Sequence, residues 1–340
     1  MRKIVIDAFG GDNSPEEVIF GTIDALNENK DFIAVLVGKE DKIKEILSTL
    51  SYDKDRVEIV NASDVITCED EPVMAIRRKT DSSIVVALKV MNEDEDAKVF
   101  LSAGSTGAVL AGSTLKIGRI QGINRPALCP ILPTYKDDKN VVLLDAGANA
   151  DCKPINLCQF ALMGSIYSRL AGVENPKVAL LSNGTEDEKG NALNHEVFPL
   201  LKEMKGINFV GNMEARDILS GEYDVVVADG FSGNVALKSV EGTAKMIMKS
   251  LKDALYSSLR SKIGALFIKK ALYGLKDKMD YNNKGGALLL GLKKAVIKVH
   301  GSSKRQAIKS AVLQAVELDK MDVVGEITKK IIEATTGDEV

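Results

Sequence analysis

The chain begins Met1-Arg2-Lys3-Ile4-Val5-Ile6-Asp7-Ala8-Phe9-Gly10-Gly11-Asp12-Asn13-Ser14-Pro15-Glu16-Glu17. Read in order, this is a short apolar run, a glycine turn and a helix start. The β-branched run 3–7 has no alternation, which suits a strand buried on both faces of a parallel sheet. Ser14 followed by Pro15, Glu16 and Glu17 predicts a helix with Ser14 as its N-cap and acids in the first turn. Strand, glycine turn and helix together are the repeating unit of an α/β fold.

The same pattern recurs outward from this unit. Runs 33–37, 57–60, 98–102, 141–145, 177–182, 208–211 and 223–229 read as further strands, with helical stretches such as 106–118 and 155–171 between them. Two stretches depart from the pattern. Runs 127–135 and 140–145, joined by the polar turn 136–139, read as an antiparallel hairpin. Residues 240–279 read as a long helical region without a strand, ending before Gly285-Gly286. No linker composition and no internal repeat divides the chain. The expectation is one α/β domain over residues 1–340, with 240–280 as a protruding helical segment.

Composition narrows the function. The 340 residues are 45% apolar and 27% charged, ordinary for a folded soluble protein. Trp is absent and aromatics are 5%, so a stacking platform for nucleic acid is not expected. Residues 244–309 hold 16 Lys and Arg against 3 Asp, a net +13 in a chain of net −3, which leaves the remainder at −16. That asymmetry suggests a face that meets something acidic. Cys68, Cys129, Cys152 and Cys158 lack metal-ligand spacing and read as reduced buried thiols. With two His in the chain, no metal site is expected. The charged N-terminus fits no signal peptide, and the longest uncharged run, 99–115, is rich in Gly, Ser and Thr. A cytoplasmic protein is expected.

In open α/β sheets ligands bind beyond the carboxyl ends of strands. Seven loops qualify. In Asp7–Asp12, Gly10 and Gly11 allow close backbone approach; Asp7 and Asp12 suit a cation, a hydroxyl or a turn cap. It is not Gly-x-Gly-x-x-Gly, so a dinucleotide is poorly supported. In Ser102–Ala108, the amides and hydroxyls of Ser105, Thr106 and Gly107 suit an oxyanion such as phosphate, or an ordinary cap. Asp145 and Asn149 flank a third turn, lining a pocket or holding the loop. Gly184, Glu186 and Lys189 lie on the fourth; Lys189 is either a point charge for phosphate or part of a solvated charge run. On the fifth, Gly233 precedes Asn234, which opens a helix as a cap or donates to an oxyanion. Residues 281–290 form the sixth, and His300–Ser303 the seventh. His300 alone reads more simply as a satisfied core or loop histidine than as a catalyst.

Together these loops closely resemble the phosphate acyltransferases that make acyl phosphate from acyl-acyl-carrier-protein at the start of bacterial phospholipid synthesis. The matching pieces are 7–12, 102–108, 144–149, 184–190, 229–235, 284–290 and 300–303, in family order along nearly the whole chain. Departures are small: Phe9 for Met, Ala146 for Val, and Ser182-Asn183 for Asn-Ile. The resemblance implies a three-layer α/β/α sandwich with a mostly parallel sheet, related to phosphotransacetylases and isocitrate-type dehydrogenases. It implies a homodimer, no organic cofactor, and acyl carrier protein and inorganic phosphate as partners. It implies Lys189 and Asn234 as the catalytic pair. The other loop residues named above, His300 included, are then expected around the substrates.

The basic segment adds a second expectation. Leu255, Leu259, Ile263 and Phe267 share a helical face, with Arg260 and Lys262 beside it, and Gly264 with a change of face suggests a bend or two short helices. Dimer or core packing, an amphipathic tip on an anionic membrane, and docking of acidic carrier protein all fit it. The resemblance favours peripheral membrane contact. Rival readings are an acyl-CoA phosphotransacetylase, a dehydrogenase of the related fold, and a membrane scaffold.

Overall fold

The computed structural model describes residues 1–279 and 285–336. The strands are β1 (Arg2–Asp7), β2 (Phe32–Gly38), β3 (Val57–Asn61), β4 (Ala97–Ser102), β5 (Ala127–Cys129), β6 (Ile131–Pro133), β7 (Asn140–Leu144), β8 (Lys177–Ser182), β9 (Asn208–Glu214), β10 (Val225–Val227), β11 (Ala287–Leu290) and β12 (Ala295–Lys298). The helices are α1 (Glu16–Glu28), α2 (Glu40–Leu47), α3 (Pro72–Arg78), α4 (Ser83–Glu93), α5 (Thr106–Lys116), α6 (Pro154–Leu170), α7 (Ala192–Glu203), α8 (Gly230–Leu255), α9 (Leu259–Met279), α10 (Arg305–Lys320) and α11 (Val323–Thr336).

The strands form two sheets, in the orders β3-β2-β1-β4-β12-β11-β5 and β6-β7-β10-β8-β9. Pairing is parallel except where β11 meets β12 and β5, and where β6 meets β7. Side chains alternate across each strand. Ile4 and Ile6 of β1 face the same core as Val142 and Leu144 of β7, Leu180 of β8 and Val225 of β10. That shared core is closed by α1, α6, α7, α10 and α11. The opposite face of the first sheet, with Val5, Val35 and Phe100, packs under α3, α4 and α5. The opposite face of the second, with Leu143, Ala179 and Val226, packs under Ala236 and Leu237 of α8. The central strands are therefore covered on both sides, the physical reason for their continuous apolar sequence, while the edge strands β3 and β9 are only partly covered.

Four local expectations are corrected. The run 127–135 is not one hairpin arm: it breaks at Pro130, sending β5 to the first sheet beside β11 and β6 to the second beside β7. Ser14 does not cap α1. Its Oγ donates to the carbonyls of Phe9 at 3.0 Å and Gly11 at 2.8 Å, closing the turn instead. The long helical region begins at Gly230 and breaks at 256–258, while Gly264 lies inside α9. Leu255 consequently belongs to a different helix from Leu259, Ile263 and Phe267. Finally, the four cysteines are free, but Cys68 is exposed.

Candidate functional site

The sheet order gathers the loops singled out above. Strands β1, β4 and β12 are parallel neighbours, with Lys298 opposite Ser102, so the turns after Asp7, Ser102 and Lys298 lie side by side. Strand β11 runs the other way, with Ala287 opposite Lys298, which brings Gly285 and Gly286 to the same edge. Residues 281–284 of that sixth loop lie outside the described residues. In the second sheet β7, β10 and β8 are neighbours, so the turns after Leu144, Val227 and Ser182 adjoin. Asp145 joins the two edges by accepting the Leu128 amide of β5 at 2.9 Å.

On the first sheet the side chains of Asp7 and Ser102 are used within the protein. Asp7 is fully buried; it accepts the Ser102 hydroxyl at 2.7 Å and the Phe9 amide at 3.3 Å. Burial pushes its carboxyl above the ordinary range, against the pull of these bonds and of Lys298. Ser102 Oγ in turn accepts the Gly104 amide at 3.0 Å. Gly10 must be glycine because a Cβ there would strike both Asp7 Oδ2 and the Gly104 nitrogen. Gly11 takes φ +98°, and the Asp12 amide donates to the Gly301 carbonyl at 2.8 Å, tying the first loop to the seventh. The Asp12 side chain is exposed. His300 Nδ1 accepts the Ser302 amide at 3.2 Å, which assigns the neutral ring's proton to Nε2. Burial, then the charge of Lys238, holds the His300 pKa below its usual value.

Ser105 precedes α5 without using its side chain as a cap. Helix geometry leaves the amides of Thr106 and Gly107 without intrahelical acceptors, a ready place for an anion. Thr106 is exposed, and Ser105 and Gly107 are half-buried.

On the second sheet Asp145 anchors the third loop. It is buried and accepts from the amides of Leu128, Gly147, Ala148 and Asn149 and from the Asn149 side chain. Both donors of Asn149 are spent inside the protein, on Asp145 at 2.8 Å and the Pro126 carbonyl at 2.7 Å. Helix α8 seats directly on this loop, and a Cβ on Gly233 would run into the Asp145 carbonyl oxygen. Its cap is Asp229, which accepts the Ser232 amide and hydroxyl, each at 2.8 Å. Asn234 therefore does not open the helix: it sits past the first turn, exposed, and Gly147 lies beside its side chain. The expected cap role falls to Asp229, and the Asn234 side-chain amide makes no hydrogen bond among the described residues.

Lys189 lies in the turn after β8, next to β10 in the sheet. It is exposed and makes no ion pair among the described residues, whereas its neighbour Asp187 is held by Lys202 at 2.9 Å. Gly184 is buried against the Lys189 stem and Glu186, and Asn212 Nδ2 donates to the Glu186 carbonyl at 2.7 Å. The loop is thus fixed by its backbone, with the Lys189 ammonium and the exposed Glu186 carboxylate at its surface.

Two lysines did not stand out in the sequence. Lys298 is 8% exposed, at the end of β12. Burial lowers its pKa to about 8, opposed by Cys68, Asp7 and Asp12 and reinforced by Lys238. Its signal was a lysine within an apolar strand, Val296-Ile297-Lys298-Val299. Lys238, one helical turn beyond Asn234, pairs with the buried Glu241 at 2.9 Å and acts on both His300 and Lys298. This joins the Asn234 face of α8 to the ends of β1, β4 and β12.

Farther along, Leu255 is half-buried, while Leu259, Arg260, Lys262, Ile263 and Phe267 are exposed, Phe267 by 86%. Among the described residues no helix is long and apolar enough to cross a membrane, and no group of three or more His, Cys, Asp and Glu is arranged to hold a metal.

Comparisons with known proteins bear on this arrangement. Residues 2–326 match the family model described as fatty acid synthesis protein. A Bacillus cereus (strain B4264) protein named phosphate acyltransferase is 50% identical over 327 residues, 96% of this chain and 97% of its own. A Clostridium tetani protein of the same name is 45% identical over 337 residues, covering 98% and 99%. Among solved structures, a Streptococcus pyogenes phosphotransacetylase has a TM-score of 0.61 at 16% identity, covering 93% of this chain and 94% of its own. A putative 4-hydroxythreonine-4-phosphate dehydrogenase from Salmonella typhimurium has a TM-score of 0.53 at 12% identity, covering 94% and 99%. The last two establish likeness of fold.

Proposed function

Because this chain belongs to the phosphate acyltransferase family, we propose that the cleft along its strand ends joins inorganic phosphate to the acyl group of an acyl-carrier-protein thioester. The enzyme is an acyltransferase whose acyl transfer serves phospholipid synthesis. The observation that carries the site assignment is that Lys189 and Asn234, exposed beyond the ends of the neighbouring strands β8 and β10, make no side-chain hydrogen bond or ion pair among the described residues.

Phosphate is itself a nucleophile, so the reaction needs no nucleophile from the chain. A dianionic phosphate oxygen attacks the thioester carbonyl carbon and forms the C–O bond. The carbonyl pair moves to oxygen, then returns as the C–S bond breaks. The proton carried by phosphate ends on the departing thiol, which leaves acyl phosphate and free carrier. Lys189 neutralises and positions phosphate. Asn234 donates to the oxyanion as it develops. The amides of Ser105, Thr106 and Gly107 hold further phosphate oxygens. Holding phosphate against the thioester supplies roughly 7–11 kcal/mol of barrier reduction.

The proposal extends to a homodimer at the periphery of an anionic membrane. The exposed Leu259, Ile263 and Phe267, with Arg260 and Lys262 beside them, have the composition that lies in a lipid interface. Membrane contact at the helical segment 240–280, within one α/β domain, would release acyl phosphate near a lipid-bound acceptor.

The test is consumption of palmitoyl-carrier-protein with and without inorganic phosphate, with hydroxylamine trapping the product. Phosphate-dependent loss of thioester and a trapped hydroxamate are expected. Turnover of acyl-CoA in place of the carrier thioester would move the substrate to the coenzyme form, and no turnover of either would sink the proposal.

A further inference from the structure

Lys298 occupies a position that an apolar residue would fill at lower desolvation cost. Its strand neighbours Val296, Ile297 and Val299 are all buried. Its ammonium donates to the Ala103 carbonyl at 3.4 Å and to the Val299 carbonyl, and among the described residues no carboxylate lies within ion-pair distance. Ala103 belongs to the neighbouring strand's turn, directly before Gly104. There the peptide is held from the other side, since the Gly104 amide donates to Ser102 Oγ and Ser102 Oγ donates to Asp7. The Val299 amide closes the arrangement on the Ser102 carbonyl at 2.9 Å. The Asp7 carboxylate, through Ser102 Oγ, and the Lys298 ammonium thus grip the one Ala103–Gly104 peptide unit from the strands on either side of β4.

We propose that Lys298 is a positioning residue for the transfer reaction: buried between the ends of β1, β4 and β12, it balances Asp7 and pins Ala103, and so fixes the turn whose Ser105–Gly107 amides receive phosphate. The proposal rests on the acyl-transfer reading for the identity of the anion. The groups facing the ammonium are Asp7 and Asp12 from the turn after β1, Cys68 from the segment before α3, Lys238 from α8, and His300. Because burial brings the Lys298 pKa to about 8, its charge is lost in mild alkali. Phosphate is already a dianion there, so a fall in phosphate affinity above that pH reports the protein.

The experiment uses the full chain as wild type, Lys298→Met, Lys298→Arg and Ser102→Ala, with inorganic phosphate as the probe. KM for phosphate, KM for acyl-carrier-protein and kcat are followed from about pH 7 to about pH 9.5. Wild type is expected to lose phosphate affinity above about pH 8. Lys298→Met is expected to lose about 10²-fold in kcat/KM for phosphate at neutral pH, as for a misplaced binding group. Its KM for acyl-carrier-protein stays within about twofold and its alkaline limb disappears. Lys298→Arg restores the neutral value and moves the limb to higher pH, because guanidinium does not titrate there. A Lys298→Met enzyme with wild-type phosphate KM, or one losing both substrates equally with the limb in place, overturns the proposal. If Lys298→Met does not fold, Ser102→Ala decides: a raised phosphate KM with the limb retained is expected, and an unchanged KM overturns it. If wild type turns over no acyl-carrier-protein, thermal stabilisation by phosphate separates the two ideas. Stabilisation of wild type and not of Lys298→Met (or, if that does not fold, Ser102→Ala) upholds the positioning role while the acyl-transfer reading falls. Equal stabilisation, or none in wild type, sinks the positioning role.

Discussion

At the ends of β1, β4 and β12 the side chains of Asp7, Ser102 and Lys298 bond within the protein, whereas at the ends of β8 and β10 those of Lys189 and Asn234 make no hydrogen bond or ion pair among the described residues. Asp7, Ser102 and Lys298 are buried and committed to the turns around them. Lys189 and Asn234 are exposed, on backbones fixed by other groups, Asn212 in one case and the Asp229 cap in the other. The first edge works as a frame and the second carries reagents. A frame must be fully satisfied, because unpaired buried groups are costly. A reagent must be unsatisfied until substrate arrives, while its carrier is held still.

The comparison breaks most severely at the joint. Gly233→Ala drives a Cβ into the Asp145 carbonyl, so α8 cannot seat on the loop that Asp145 organises. Loss of both the folded transition and the activity is expected in a thermal melt, at a cost of more than about 3 kcal/mol. Next come the reagents. Lys189→Ala and Asn234→Ala should each lower kcat by about 10²–10³. Because neither side chain is buried, the melting temperature should move by less than about 2 °C. A near-normal rate in either variant removes its role.

Stability against pH sharpens the frame. The folded chain sheds the Lys298 proton near pH 8, and the unfolded chain keeps it to the ordinary lysine value. Between those values the unfolded state binds more protons, so this group's contribution to stability rises with pH, by at most about 1.4 kcal/mol per pH unit. Urea titrations of Lys298→Met should lack that rise relative to wild type; parallel curves would show that the ammonium is not buried in solution. The smallest expected effect on turnover lies farthest from both edges. Leu259→Glu with Ile263→Glu should abolish binding to anionic liposomes and leave soluble turnover within about twofold. Retained liposome binding would instead assign that exposed face to packing against another protein surface.

The first seventeen residues contain the fold's repeating unit, and the runs at β2, β3, β4, β7, β8, β9 and β10 repeat its signal, whereas β11 and β12 were not among the runs read as strands. Most of the turns were legible for the same reason, since glycine and small polar residues after an apolar run have few other uses, but residues 287–290 of the sixth are strand β11 and residues 230–235 of the fifth already belong to α8. Lys298 was not legible as a buried group, being one of 16 cations in a segment that reads as a basic face for something acidic. Its environment comes from β4 and the turn after β1, almost two hundred residues or more away in the chain. The role of Asp229 was hidden differently, since Asp and Asn are both good caps and only the helix start decides between them. Pro130 illustrates a third limit, because an extended run does not say which sheet each half joins.

The sequence by itself determined the alternation of strands and helices, the position of the polar turns and the family, because these depend on local periodicity and residue type. Tertiary structure decided which polar groups are spent and which are free. That outcome depends on burial and on partners from other strands, and a free energy of desolvation has no value until the surrounding chain has closed around the group.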